Sequence, residues 1–293
     1  MLFPKKFKKE KIKINDIKIN CSHGGEGKAL LLIHGYPQNN TMWHKIVKKL
    51  SKSYYIVCPD LRGYGKSSKP KGDKTHNNYS KRTMAKDMAN LMSYLGFHSF
   101  YVAGHDRGAR VAHRLCLDFK SRVLKACFMD IAPTYHMFKN TNQAFATGYY
   151  HWFFLIQPDN LPENLISKDP AYYLKQKLKR WSAQDVKFNR KFDKKAVNDY
   201  IKCFDKPSIH GSCEDYRAAA TIDLVHDKED RKRKINMPVL ILWGKKGFIN
   251  KTYNVKDVWQ KYATHIEAKA LNCGHFLPEE KPKEVLKELK SFF

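Results

Sequence analysis

Residues 102–114 read VAGHDRGARVAHR. The first of them close an apolar run that begins at Ser99, and a helix-like stretch carrying three arginines follows. Between the two, Gly104 and Gly108 bracket His105-Asp106-Arg107. A strand that turns at once into a helix leaves no space beside the residue at its apex, so small residues are needed on both sides and Asp106 protrudes. Aspartate at the start of a helix also has a plainer use as an N-cap. The order of the chain favours the first reading, because HGYPQ (34–38) ends an earlier strand-like run in the way a site-forming loop would.

Working outward, apolar runs recur at 29–35 (ALLLIHG), 54–60 (YYIVCPD), 99–106 (SFYVAGHD), 123–131 (VLKACFMDI), 238–244 (PVLILWG) and 265–271 (HIEAKAL). Helix-like stretches stand between and after them, including about 80–96, 107–119 and 281–292. This alternation predicts an α/β fold: a mostly parallel twisted sheet with helices on both faces. The alternation stops over 135–217, where aromatic residues such as Trp152 and Trp181 mix with lysines. That interruption predicts a helical cap domain, 135–217, inserted into a core domain made of 1–134 and 218–293. The carboxyl edge of the sheet beneath such a cap is where ligands of open α/β sheets bind.

Lysine and arginine number 55 against 28 acidic residues, a formal net charge of +27. The lysines are spread through most of the helix-like stretches, which indicates solvated faces and argues against a nucleic-acid stripe. A positive field still raises the encounter rate of small anions. The N-terminal MLFPKKFKKEKIKIN never becomes a continuous apolar segment and no run of about 18 apolar residues occurs, so no membrane partner and a cytoplasmic location are expected. The seven cysteines form no C-x-x-C pair, which suits reduced, buried thiols and gives no metal site.

G-x-D-x-G at a strand-to-helix turn has the form of the nucleophile elbow of the α/β-hydrolase fold. Serine attacks acyl carbon, whereas a carboxylate is suited to displacing a leaving group from sp³ carbon, which leaves an alkyl ester on the enzyme. Alkyl halides and epoxides are therefore the candidate substrates of Asp106. Hydrolysis of the ester needs a general base, and His275 in LNCGHFLPEEKP (271–282) follows the last strand, where this fold carries its histidine. The backbone amides of Tyr36 and Arg107 are the expected oxyanion hole. No aspartate follows PVLILWG before Asp257, so Asp130 in FMDIAPT (128–134) is assigned as the acid that orients His275, with Asp223 and Asp227 as rivals. His34 and His105 flank turns and are read as structural.

Arg107 and Arg110 are three apart, on neighbouring turns of one helix, and guanidinium groups pair bidentately with carboxylates. They are expected to clamp the carboxylate of a short acid whose α-carbon faces Asp106, and their charge would keep Asp106 ionised. A plainer role, pairing with a structural carboxylate, is weighed more for Arg110 than for Arg107.

Over nearly its whole length the sequence resembles the fluoroacetate (haloacetate) dehalogenases of the α/β-hydrolase superfamily, relatives of haloalkane dehalogenases and epoxide hydrolases. The resemblance is carried by HGYPQ, PDLRGYGKSSKP (59–70), GHDRGARVAHR, MDIAPTY, YHWFFLIQP (150–158), CEDYRAAATIDLVHD (213–227) and CGHFLPEE (273–280). It implies conversion of fluoroacetate or chloroacetate to glycolate plus halide, a halide pocket of His151, Trp152 and Tyr216, a homodimer, and no cofactor or metal. Imidazole, indole and phenol each supply a donor to a small, strongly hydrated halide. Tyr149 and Tyr150 compete for the role of Tyr216. The chain departs from the common pattern at Tyr36, where phenylalanine is frequent, and in its many lysines. An epoxide hydrolase using the same Asp, His and Asp, or a hydrolase-fold binding protein without turnover, are the alternatives.

Overall fold

A computed structural model describes residues 2–293. Its centre is an eight-stranded sheet in the order β1-β2-β4-β3-β5-β6-β7-β8. The strands are β1 (Lys8–Ile14), β2 (Ile17–Gly24), β3 (Lys28–Ile33), β4 (Tyr54–Pro59), β5 (Phe100–His105), β6 (Val123–Met129), β7 (Val239–Gly244) and β8 (Ile266–Leu271). From β4 to β8 every neighbouring pair is parallel, while β1 pairs antiparallel with β2 and β2 antiparallel with β4. All six residues of β5 are buried, as its unbroken apolar sequence requires of a strand covered on both faces.

Six of the eight strands coincide with the apolar runs of the sequence. The remaining hairpin, β1 with β2, lies in the lysine-rich N-terminus and obeys a different rule. Ile12, Ile14, Ile17 and Ile19 are buried, and lysines alternate with them on the solvent side. The turn passes through Asn15, whose positive φ of 52° suits asparagine.

The helices Lys81–Tyr94, Arg107–Asp118 and Pro282–Phe292 flank the sheet, close to their expected limits. Between β6 and β7 the described chain is helical and contains no strand. Aspartates start two of its longer helices: Asp169 accepts from the Tyr172 amide and Asp205 from the Ser208 amide, each with a proline in the first turn. The helix Lys206–Ala220 runs unbroken through residue 217, and Ile222–Glu229 follows before β7. All seven cysteines are buried and unpaired. Among the described residues no helix is long and apolar enough to cross a membrane.

Candidate active site

Asp106 occupies the sharp turn between β5 and the helix Arg107–Asp118, with φ 47° and ψ −117°, a backbone conformation that few L-residues adopt. The turn is enforced by close packing. A Cβ on Gly108 would lie 2.3 Å from the His34 carbonyl oxygen, so only glycine lets the helix start meet the end of β3. Asp106 is 8% exposed. Its Oδ2 accepts a 2.9 Å hydrogen bond from the backbone amide of Tyr36. Burial alone would raise the Asp106 carboxyl, but the charges of His275, Arg107 and Arg110 outweigh it and hold the group below its ordinary value.

His275 lies on the loop after β8, and its Nδ1 is 2.6 Å from Asp130 Oδ2. Asp130 follows β6 with φ 54°, and its other oxygen accepts from the Gly244 amide at 2.8 Å, so both carboxylate oxygens are committed. Burial pulls the His275 pKa down, yet the bond to Asp130 and the charges of Asp130 and Asp106 leave it above the ordinary histidine value. The rival acids are engaged elsewhere: Asp223 accepts from the Lys81 amide and Asp227 pairs with Arg114. His105 bears on the site through the backbone, its Nε2 donating to the His275 carbonyl at 2.7 Å. Burial and the neighbouring His275 push its pKa down to about 3, so the ring stays neutral and the donating tautomer is fixed. His34 is structural in the sense expected, accepting from the Leu61 amide at 3.0 Å.

The two arginines differ in the opposite sense to the sequence expectation. Arg107 forms a bidentate pair with Asp215, Nε and Nη2 each 2.8 Å from a carboxylate oxygen, and stacks over the Tyr216 ring. Asp215 also pairs with Lys81 and accepts from the Tyr64 hydroxyl. Arg110 has no carboxylate among its hydrogen-bond partners, which are the Ala132 carbonyl, Thr134 Oγ1 and the Met137 sulfur. The plainer role therefore falls to Arg107, because the helix Lys206–Ala220 supplies Asp215 to it and nothing comparable to Arg110. Each arginine still keeps a buried donor without a partner among the described residues, Nη1 of Arg107 and Nε of Arg110.

His151, Trp152 and Tyr216 meet in one buried cluster. The His151 and Tyr216 rings are 5.6 Å apart and those of Trp152 and Tyr216 6.2 Å. His151 Nδ1 and the Tyr216 hydroxyl lack partners among the described residues. Burial, and then the charge of Lys177, keep His151 far below its ordinary pKa, so it is neutral. Tyr149 also lies near the carboxylates: after burial, Asp130 and Asp106 are the strongest influences raising its phenol. Tyr150 is 42% exposed and its hydroxyl accepts from Lys177.

Sequence reasoning did not single out Trp181 as a site residue. Its carbonyl accepts from the His275 amide at 2.8 Å, and its ring lies 4.5 Å from His151 and 5.6 Å from His275. The only signal was Gly274, whose Cβ would fall 2.5 Å from the Ala183 nitrogen, so the glycine before His275 admits this segment. A cavity of about 230 Å³ opens beside His275, lined by Tyr149, Trp181 and Phe248 together with the exposed Arg180, Lys246 and Lys251. Chemically the arrangement offers a buried carboxylate held on a backbone amide, an imidazole oriented by a second carboxylate, and unsatisfied cationic and neutral donors around them.

Comparison with known proteins places the chain in a family. The family described as alpha/beta hydrolase fold matches residues 28–282. The chain is 40% identical over 287 residues to a fluoroacetate dehalogenase from Burkholderia sp, covering 98% of this chain and 93% of that protein. It is 31% identical over 290 residues to a soluble epoxide hydrolase from Corynebacterium sp. (strain C12), covering 96% and 95%. The solved structure of an alpha/beta hydrolase from Nostoc sp PCC 7120 matches with a TM-score of 0.95 and 52% identity over 98% of this chain and 97% of that one.

Proposed function

The chain belongs to the α/β-hydrolase fold family, and on that premise we propose that it is a hydrolytic dehalogenase of short 2-haloacids, converting fluoroacetate or chloroacetate to glycolate and halide. The observation that carries this reading is the pair of buried arginine donors without partners, Arg107 Nη1 and Arg110 Nε, in the helix that begins beside the carboxylate of Asp106. Buried cationic donors left unsatisfied are costly, and a substrate carboxylate would satisfy both. The 40% identity to fluoroacetate dehalogenase supports the same substrate class.

In this mechanism the α-carbon of the bound acid faces Asp106. A carboxylate oxygen forms a bond to that carbon as the carbon–halogen bond breaks, and the halide departs with the bonding electrons toward His151, Trp152 and Tyr216. His275, oriented by Asp130, then removes a proton from water as the water oxygen adds to Cγ of Asp106. The amides of Tyr36 and Arg107 stabilise the resulting oxyanion. Collapse breaks the Cγ–O bond, and glycolate leaves after taking the proton from His275. Asp106 keeps one oxygen from water, and the net products include one halide and one proton. The helical segment 135–217 serves as the cap that excludes water from this site. A cytoplasmic homodimer without cofactor belongs to the same reading.

The test is halide release, read with an ion-selective electrode, from fluoroacetate and chloroacetate. Fluoride release that vanishes in Asp106→Ala supports the full proposal, chloride release alone removes its fluoride part, and no release from either substrate defeats it. A second reading, epoxide hydrolysis, draws on the 31% identity to the Corynebacterium enzyme and on the Tyr216 hydroxyl, which is free to protonate an epoxide oxygen. Turnover of styrene oxide in the absence of haloacetate turnover would favour it.

A further inference from the structure

The helix Pro170–Trp181 buries a lysine. Lys177 is 3% exposed, and its one hydrogen bond among the described residues goes to the Tyr150 hydroxyl at 2.7 Å. Its Nζ lies 4.0, 4.8 and 5.1 Å from the ring centroids of Tyr150, Tyr173 and Trp181. Aromatic faces attract a cation, but they offset only part of the cost of removing an ammonium from water. The charged and titratable groups around it are Arg180 and Tyr173 of its own helix and Tyr150 and His151 of the adjoining cap segment. None of these is an anion at neutral pH, so the ammonium has a cage and no counter-charge among the described residues.

What lies beyond the cage gives that charge a direction. Trp181 is shared: Lys177 sits by its ring, and His151 lies 4.5 Å from the same ring. His151 Nδ1 has no partner, and the Lys177 charge is among the causes that keep this imidazole neutral. Neutral N–H donors compete poorly with water for a halide unless a positive charge lies close by in a medium of low dielectric.

We propose that Lys177 is a positioning residue of the halide pocket, a fixed ammonium behind Trp181 and His151 that draws the departing halide toward the His151 and Trp152 donors and holds it there. The inference rests on the dehalogenase reading for the identity of the anion. Burial and the charge of Arg180 lower the Lys177 pKa to about 7. Its charge is present below that value and lost above it, so halide affinity falls as pH rises through neutrality.

The experiment measures chloride and fluoride binding to the purified full chain by titration calorimetry at about pH 6 and about pH 8. Wild type, Lys177→Met and Lys177→Arg are compared, alongside halide release from both haloacetates. Lys177→Met is expected to bind halide about tenfold more weakly at the lower pH, the scale of one charge several ångströms away, and to lose more fluoroacetate than chloroacetate turnover. Lys177→Arg is expected to retain affinity and to lose the fall between the two pH values, because guanidinium stays charged. That second readout remains decisive if Lys177→Met fails to fold. Unchanged affinity and an unchanged fluoride-to-chloride ratio in Lys177→Met overturn the proposal, as does a Lys177→Arg protein whose halide binding still falls with pH like the wild type. Lys177-dependent halide binding without turnover of either haloacetate would sink the dehalogenase reading and leave the anion site standing.

Discussion

Arg107 and Arg110 sit in the same buried helix start, yet their surroundings predict opposite defects. Removing the Arg107 side chain leaves Asp215 buried beside Lys81 with half its pairing lost, and breaking a buried pair from one side costs about 3–5 kcal/mol. Arg107→Ala should therefore lower the urea midpoint as well as activity. Arg110 holds only neutral acceptors, so Arg110→Ala should raise KM for chloroacetate with a smaller loss of stability; equal destabilisation of the two variants would contradict this division. The titration of Asp106 and His275 separates the two chemical steps in the same way. Asp106 stays ionised into mild acid because its pKa is lowered, so the proposed alkylation should continue there. His275 owes part of its raised pKa to the Asp106 charge, which the ester removes, but Asp130 continues to favour the protonated ring. As pH falls below the histidine pKa the base is protonated and hydrolysis slows first. Acid quench followed by intact mass measurement should show an ester adduct on Asp106 growing as pH is lowered, and an adduct equally scarce at every pH would refute the ordering. His275 and Asp106 could be picked out from spacing, as could Asp130, because each stands in the turn or loop that follows a strand. The inequality of the arginines could not, since Asp215 stands 108 residues from Arg107 and only the folded chain brings it there.

The elbow is the element on which this site depends, and its tolerance is narrow. In Gly108→Ala the new methyl would lie 2.3 Å from the His34 carbonyl and 2.4 Å from that of Ile33, both backbone atoms that cannot swing aside. Overpacking of this kind costs about 1–3 kcal/mol, and here it also moves the Asp106 carboxylate off the Tyr36 amide. Gly108→Ala should thus lose kcat by a larger factor than its loss of stability explains, whereas Gly96→Ala, with nothing near its Cβ, serves as a control that strains only a surface turn. If Gly108→Ala retained full kcat, the packing argument would fail. Continuous apolar runs made six strands readable because burial on both faces writes itself as hydrophobicity. The β1–β2 hairpin was hidden because its information lies in alternation: KIKINDIKI reads as charge until every second residue is assigned to one face. Trp181 was hidden for a third reason. It closes the helix Pro170–Trp181, and only the docking of residues 181–183 on Gly274 brings it to His275.

At the scale of the molecule, the acidic residues that exist are drawn disproportionately to buried cations. Arg62 pairs with Asp16 and Asp87, Arg114 with Asp118, Asp227 and Asp230, and Arg107 with Asp215. Most surface lysines are left without partners, so the +27 net charge is concentrated on the outside. Arg180 and Lys251 flank the cavity beside His275 within that field, whereas Lys246 is partly neutralised by Asp185. A field of this sign accelerates the approach of a small anion and has no effect on chemistry once the anion is bound. Raising ionic strength from about 0.01 M to 0.15 M shortens the screening length from about 30 Å to 8 Å. Accordingly kcat/KM for chloroacetate should fall several-fold over that range at constant kcat, provided that capture limits kcat/KM. Arg180→Gln with Lys251→Gln should flatten the dependence without altering the adduct on Asp106. A neutral substrate such as an epoxide would show no such slope, so the salt dependence also discriminates between the two substrate classes. A slope that survives the double substitution would mean that the steering charge lies in the diffuse lysine surface, not at the mouth of the site.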